Sequence, residues 1–206
     1  PVVELKGLWE LFRMEDDINP AHQEYIQAGA GHTRSLDAYV RNLVGITENR
    51  RNALEVKDID TPKLVNNCVS QLVFLEGERR PVITIDSESS ELIQGDWYRT
   101  WLILSNLIDN AVRFQRSDEP KPSIRIFFKS SPKGTVIEVE DNGQGISAEA
   151  RQNIGTRFGR GTEGNVGSGL GLFVVKEIVD TLEGELEIRS KVGTGTIVSI
   201  KIPPKP

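Results

Sequence analysis

The sequence predicts an α+β chain: a two-layer sandwich of a mixed sheet with helices on one face, preceded by an antiparallel helical hairpin. Three observations lead there. Apolar residues recur at helical spacing through the first 58 residues, and the periodicity changes near residue 58. Beyond that point strand and helix patterns alternate. Most neighbouring strand patterns are joined by short turns, which makes hairpins and therefore a mixed sheet.

The elements follow in order. "PVVELKGLWELFRME" places Val2, Leu5, Leu8, Trp9 and Phe12 at helical spacing, with Pro1 suited to a first turn. Asn19 before Pro20 signals a turn. A second helix is expected over 21–53, with a seam of Tyr25, Ile26, Leu36, Tyr39, Val40, Leu43 and Ile46, weakened at Gly29 and Gly31. Two antiparallel helices with narrow seams cannot cover themselves, so residues 1–53 are expected to form a homodimer through a four-helix bundle. Thr61 and Pro62 open a helix running to about residue 76, with proline in the first turn. "RPVITIDSE" alternates as a strand. Asp96 is placed to cap the amphipathic helix "WYRTWLILSNLIDNAVRF". "SIRIFFKS" and "GTVIEVED" read as strands about a turn at 132–134. A short helix near 148–153 precedes a glycine-rich loop, and a helix over 170–182 follows it. "ELEIRS" and "GTIVSIKI" close the chain as strands about Gly193. The expected division is 1–58, a helical dimerisation domain, and 59–206, a sandwich domain.

Composition excludes some functions. The net charge of −5 argues against a nucleic-acid partner. The single cysteine, Cys68, excludes a disulfide framework or a cysteine zinc site within one chain and reads as a small buried hydrophobe. No apolar run is long enough to span a bilayer and no signal peptide is visible. The opening "PVVELKG" lacks a methionine and reads as part of something longer. His32 falls on the helical seam, four residues before Leu36. It reads as a packed or partly exposed seam residue in preference to a phosphate acceptor or metal ligand. His22, beside the turn, reads as solvated.

The chemistry concentrates in glycine-rich stretches. "GNVGSGLGLFVVKEIVDTL" carries Gly164, Gly167, Gly169 and Gly171 within eight residues and then becomes an apolar helix. Glycines let backbone N–H groups approach a ligand closely. The helix start adds unpaired N–H groups and a positive dipole end, so "GSGLGL" is a candidate phosphate loop. It matches neither the Walker nor the Rossmann fingerprint. "EDNGQGI" ends a strand with Asp141, able to accept a hydrogen bond from an exocyclic amine; Gly143 and Gly145 leave room for a flat ring. "NLIDNAVRF" puts Asn106, Asn110, Arg113 and Phe114 on one helical side. Asn supplies a neutral oxygen for a hard cation, Arg113 a phosphate partner, and Phe114 a surface on which a base can stack.

Taken in chain order, and with "RFGRG" between the second and the last, these stretches resemble the N, G1, F and G2 boxes of sensor histidine kinases, within the Bergerat-fold ATPases that also include gyrase, Hsp90 and MutL. The boxes are "NLIDNAVRF", "DNGQGI", "RFGRG" and "GSGLGL", and the resemblance covers about 59–203. It implies ATP and Mg²⁺ as cofactors, with Asn110 as the Mg²⁺ ligand and Asn106 orienting the site as catalytic residues. It implies Asp141 as acceptor for the adenine amine and Gly145 beneath the base, with Gly143 and Ile146 in the same box. Arg113, Phe114 and Thr196 of "GTGT" stand at matching family positions. Phe158 is the lid aromatic, and Gly167, Ser168, Gly169, Leu170 and Gly171 form the phosphate loop. The segment 147–167 corresponds to a mobile lid over ATP.

The first helices resemble the family's dimerisation and histidine-phosphotransfer domain, with Pro1 as the proline of its acceptor motif. On that alignment the acceptor histidine would lie five residues before Pro1, outside this sequence. The implied function is the ATP-binding core of a kinase that phosphorylates a histidine on the dimerisation helix, for relay to an aspartate of a response-regulator receiver domain. The alternative is a pseudokinase serving as a nucleotide-regulated scaffold. A mismatch-repair, chaperone or topoisomerase ATPase is disfavoured by the preceding helix pair. The implied location is cytoplasmic, with membrane contact only through upstream segments.

Overall fold

The computed structural model describes residues 20–72, 80–86, 88–148, 150 and 170–204. The expected first helix lies outside them, as does most of the expected lid. A long helix, α1 (Pro20–Arg51), leads into strand β1 (Val56–Asp60) and helix α2 (Thr61–Ser70). Strands β2 (Val82–Ile85) and β3 (Leu92–Asp96) precede helix α3 (Trp97–Arg113). The hairpin β4 (Ser123–Ser131) and β5 (Gly134–Asp141) follows. Helix α4 (Gly171–Thr181) and the hairpin β6 (Glu185–Lys191) and β7 (Gly195–Ile202) complete the order. No helix among the described residues is long and apolar enough to cross a membrane.

Five strands form a mixed sheet in the order β2–β4–β5–β7–β6. β2 runs parallel to β4, and the other neighbours are antiparallel. Strand alternation sends Ile124, Ile126 and Phe128 of β4, Ile137 and Val139 of β5, and Val198 and Ile200 of β7 inward. There they join Leu102, Leu107 and Ile108 of α3 and Val174, Val175 and Ile178 of α4 in one core. The opposite phase carries solvent-facing ion pairs, Arg125 with Glu140 and Arg189 with Glu138. The two-layer α+β sandwich is as the sequence predicts.

Two strands were not legible. β1 and β3 pair antiparallel as a separate small sheet. β1 reads VKDID, too charged to resemble a strand, yet Ile59 and its partner Ile93 are each 1% exposed and reach the core. α2 is also shorter than expected. It ends at Ser70, where the Gln71 N–H turns back to the Cys68 carbonyl. Its cap is Asp60, which accepts from the Lys63 N–H at 2.9 Å. Asp96 caps α3 as expected, accepting from the Arg99 N–H at 3.0 Å.

The end of α1 is fastened to the sandwich. Ile46, 9% exposed, joins the same buried core cluster, so this seam position is covered within the chain. Arg99, 4% exposed, is the main fastening. Its guanidinium donates to Asn49 Oδ1 at 2.8 Å and to the carbonyls of Asn49, Asn52 and Ala53, the otherwise unpaired end of α1. Asp96 balances the charge at 2.6 Å. Asn49 Nδ2 donates to Thr181 Oγ1 on α4 at 2.8 Å, and Arg50 pairs with Glu177. The remainder of the seam is open: Tyr25, Leu36, Val40 and Leu43 are exposed and Tyr39 is half-buried.

Candidate functional site

The inner face of the sheet ends in polar residues on one side. Asp141 on β5, Thr196 on β7 and Ser190 on β6 lie directly opposite one another in register. The C-terminal half of α3 and the start of α4 bound the same end of the sandwich.

Asp141 is the most perturbed acid. Burial pushes its carboxyl up to about 6, while N–H groups of Gly143 and Thr196 pull it down and Glu140 adds to the rise. Gly143 N–H donates to Asp141 Oδ1 at 2.8 Å. The loop after β5 is stitched on two sides. Gln144 N–H donates to the Phe114 carbonyl at 2.9 Å, tying it to the end of α3. Gly193 N–H donates to the Gln144 carbonyl at 2.8 Å, tying it to the β6–β7 turn. Gly145 has φ +71°, and any Cβ there would overlap the Lys191 carbonyl, so only glycine lets the loop lie on β6. Ile146 N–H donates to Ser190 Oγ at 2.8 Å.

On α3, the one-turn spacing stacks Asn106 and Asn110 over the start of α4. Asn106 Nδ2 donates to the Leu102 carbonyl at 2.8 Å. A Cβ built on Gly171 would come within 3.0 Å of Asn106 Oδ1 and 3.6 Å of the Asn110 amide, so the missing side chain admits both amides to the helix start. Leu170 precedes α4 with no side-chain hydrogen bond capping the helix. Asn110 Nδ2 is buried with no hydrogen-bond partner. The positive end of the α4 dipole and an orphaned amide therefore meet at one point, an arrangement suited to an anion. Arg113, one turn further, pairs with Asp109 at 3.2 Å. Phe114 is half-buried at the end of α3, and its backbone carbonyl is the group that binds the loop.

Asn106, Asn110, Arg113, Phe114, Asp141, Gly143, Gly145, Ile146, Leu170, Gly171 and Thr196 thus all lie at this end of the sandwich. Phe158, Gly167, Ser168 and Gly169 lie outside the described residues. Sequence reasoning missed three participants. Asp109 holds Arg113. Arg116 Nη1 donates to the Gly193 carbonyl at 2.5 Å. Ser190 joins the loop to Thr196, whose Oγ1 is 2.9 Å away. Ser190 had one available signal: it shares the inward phase of Leu186 and Ile188, where an apolar residue is the default.

Several known proteins are similar to this chain. The family described as histidine kinase-, DNA gyrase B- and HSP90-like ATPase matches residues 95–206. The probable C4-dicarboxylate sensor kinase of Halalkalibacterium halodurans is 35% identical over 105 residues, 50% of this chain and 20% of that protein. The sensor protein EvgS of Escherichia coli K12 is 25% identical over 210 residues, 98% of this chain and 18% of that protein. The chain thus spans about a fifth of the length of these curated relatives. Two solved structures share the fold. The Acinetobacter baumannii histidine kinase AdeS has a TM-score of 0.64 at 21% identity, covering 98% of this chain and 94% of that one. Full-length ShkA, solved in complex with AMPPNP, has a TM-score of 0.65 at 18% identity, covering 98% and 43%. With 112 of its 206 residues matched (95 to 206), the chain belongs to the histidine kinase-, DNA gyrase B- and HSP90-like ATPase family.

Proposed function

We propose that the chain is the ATP-binding catalytic core of a sensor histidine kinase. It transfers the γ-phosphate of ATP to a histidine on the dimerisation helices, for relay to an aspartate of a response-regulator receiver domain. The observation that carries this reading is the buried, unpartnered Asn110 amide beside the start of α4, with Asp141 at the same end of the sheet.

In this reading Asp141 accepts the adenine amino proton, and the loop from Gly143 to Ile146 holds the base. The first N–H groups of α4 receive the phosphates, and Asn106 orients the site. Arg113 serves as their cation, held meanwhile by Asp109. Phosphoryl transfer asks mainly for position and charge stabilisation, and these groups supply both. Mg²⁺ fits the donor set. A half-turn of the Asn110 amide presents oxygen in place of N–H, and phosphate oxygens complete a hard-cation shell. Among the described residues no group of three His, Cys, Asp or Glu is gathered to hold a metal alone, which matches a cation bound together with its nucleotide. When bound, Mg²⁺ supplies neutralisation of the phosphate charge. His32, exposed on α1, is not assigned the acceptor role.

We also assign residues 1–58 to the dimerisation domain and 59–206 to catalysis, with the end of α1 grafted onto the catalytic layer. The homodimer forms through residues 1–53. The setting is cytoplasmic, with any membrane contact belonging to upstream segments. Calorimetric titration with ATP and ADP, with and without Mg²⁺, tests the reading. Binding that Mg²⁺ strengthens is expected for ATP. Absence of binding for both nucleotides at millimolar concentration would remove the basis of the proposal.

A further inference from the structure

Ser190 occupies a position where strand alternation calls for an apolar side chain. Leu186 and Ile188 share its phase on β6 and pack against the core. The serine instead stands third in the row Asp141–Thr196–Ser190. Its hydroxyl meets three groups. It donates to the Gly195 carbonyl at 2.9 Å, accepts from the Ile146 N–H at 2.8 Å, and lies 2.9 Å from Thr196 Oγ1.

A hydroxyl has one proton and two acceptor sites. The Gly195 carbonyl takes the proton and the Ile146 N–H fills one acceptor site. The Ser190–Thr196 bond can run in either direction; with the Ser190 proton assigned to the Gly195 carbonyl, which can only accept, the Thr196 hydroxyl donates to Ser190. That turns the Thr196 proton away from Asp141 and leaves its lone pairs as the polarity it offers to a ligand. Asp141, as a carboxylate, also only accepts. Two neighbouring groups of acceptor polarity suit the exocyclic amine of adenine, directly or through a donating water, and disfavour the carbonyl that guanine carries at the same ring position.

We propose that Ser190 is a positioning residue for base recognition: it fixes the hydroxyl polarity of Thr196 and anchors the loop carrying Ile146, so that the site prefers adenine to guanine. This rests on the reading of the site as a nucleotide pocket. Without Ser190 the Thr196 hydroxyl is free to rotate and donate to a guanine carbonyl. The discrimination then falls while the sheet, held by its backbone ladder, remains.

The test is a double-mutant cycle of Ser190→Ala and Thr196→Val, read as ADP and GDP affinities by calorimetry, with Ser190→Thr as the hydroxyl-retaining control. Ser190→Ala is expected to weaken ADP by about three- to tenfold, the scale of one hydrogen bond, while GDP changes by less than about twofold. Ser190→Thr is expected to keep the wild-type ratio. In the Thr196→Val background, Ser190→Ala is expected to change the ratio by less than about twofold, because both act through the same hydroxyl. Equal weakening of ADP and GDP by Ser190→Ala, or an unchanged ratio in Thr196→Val, overturns the assignment. The second outcome does so even if Ser190→Ala does not fold. Wild-type protein that binds neither nucleotide overturns the nucleotide pocket itself, a distinct result.

Discussion

At the scale of single residues the acid at the end of β5 carries the sharpest consequence. Burial raises the Asp141 carboxyl to about 6, well above its ordinary value of 3.8. Between these values the folded chain holds a proton that the unfolded chain has lost. Asp141 therefore opposes folding above pH 6, and this penalty lifts as pH falls through 6 toward 4. Nucleotide recognition has the opposite sign, because only the carboxylate accepts from the adenine amine. ADP affinity is expected to be level above about pH 7 and to fall about tenfold per pH unit below 6. Asp141→Asn is expected to bind ADP more weakly and to flatten this dependence. A wild-type affinity that stays level from pH 8 to 5 would contradict the role given to Asp141. Asp141 was legible because an acid followed by spaced glycines at a strand end is a rare pattern. Ser190 was harder to read: its only signal is a polar residue in the inward phase of Leu186 and Ile188, and its partner Thr196 is set by register. Arg113 was legible as a cation, but its pairing with Asp109 depends on side-chain geometry.

At the scale of elements the joint between α1 and the sandwich is the least sequence-legible feature and one of the most buried. The apolar seam of α1 reads as one continuous stripe, but the structure divides it. Leu36, Val40 and Leu43 stay exposed, whereas Ile46 enters the core beside α3. The division is made by Arg99, whose guanidinium ties the last carbonyls of α1 to Asp96. An arginine in the first turn of an amphipathic helix gives no hint of burial, because its partners lie 46 to 50 residues away. Removing one member of such a buried pair leaves the other charge uncompensated. Arg99→Ala is expected to lower unfolding stability by about 3–5 kcal/mol in urea titration. It is also expected to speed amide exchange at 46–52. A loss below about 1 kcal/mol would mean that solvent already reaches the joint. β1 and β3 escaped detection for a related reason. The charged sequence of β1, VKDID, is compatible with a strand because pairing with β3 brings Ile59 and Ile93 together against the core.

At the scale of the whole molecule the chain joins a nucleotide-binding sandwich to a helix whose outer face is uncovered. Leu43 is 55% exposed, and Leu36, Val40 and Val44 lie along the same helix, exposed as well. Burying each such side chain contributes about 1.5–3 kcal/mol, so a few of them can hold two chains together. Leu43→Glu would place an unpaired carboxylate in that interface. It is expected to shift a dimer to monomer in sedimentation while leaving ADP affinity unchanged. A wild type that is monomeric at high micromolar concentration would contradict the bundle. Loss of ADP binding in the variant would contradict the division near residue 58. The alternating layers of 59–206 were readable from periodicity and turn residues. The described part of the site was readable because 106–114, 141–146 and 170–171 are compact stretches whose meeting point the sandwich supplies. The most direct measurement of the central claim is a crystal structure of the chain with a non-hydrolysable ATP analogue and Mg²⁺. The expected result has the adenine amine within hydrogen-bonding distance of Asp141, the phosphates at the start of α4, and Mg²⁺ on Asn110 Oδ1. An analogue bound elsewhere on the sandwich, or with its base away from Asp141, would contradict it.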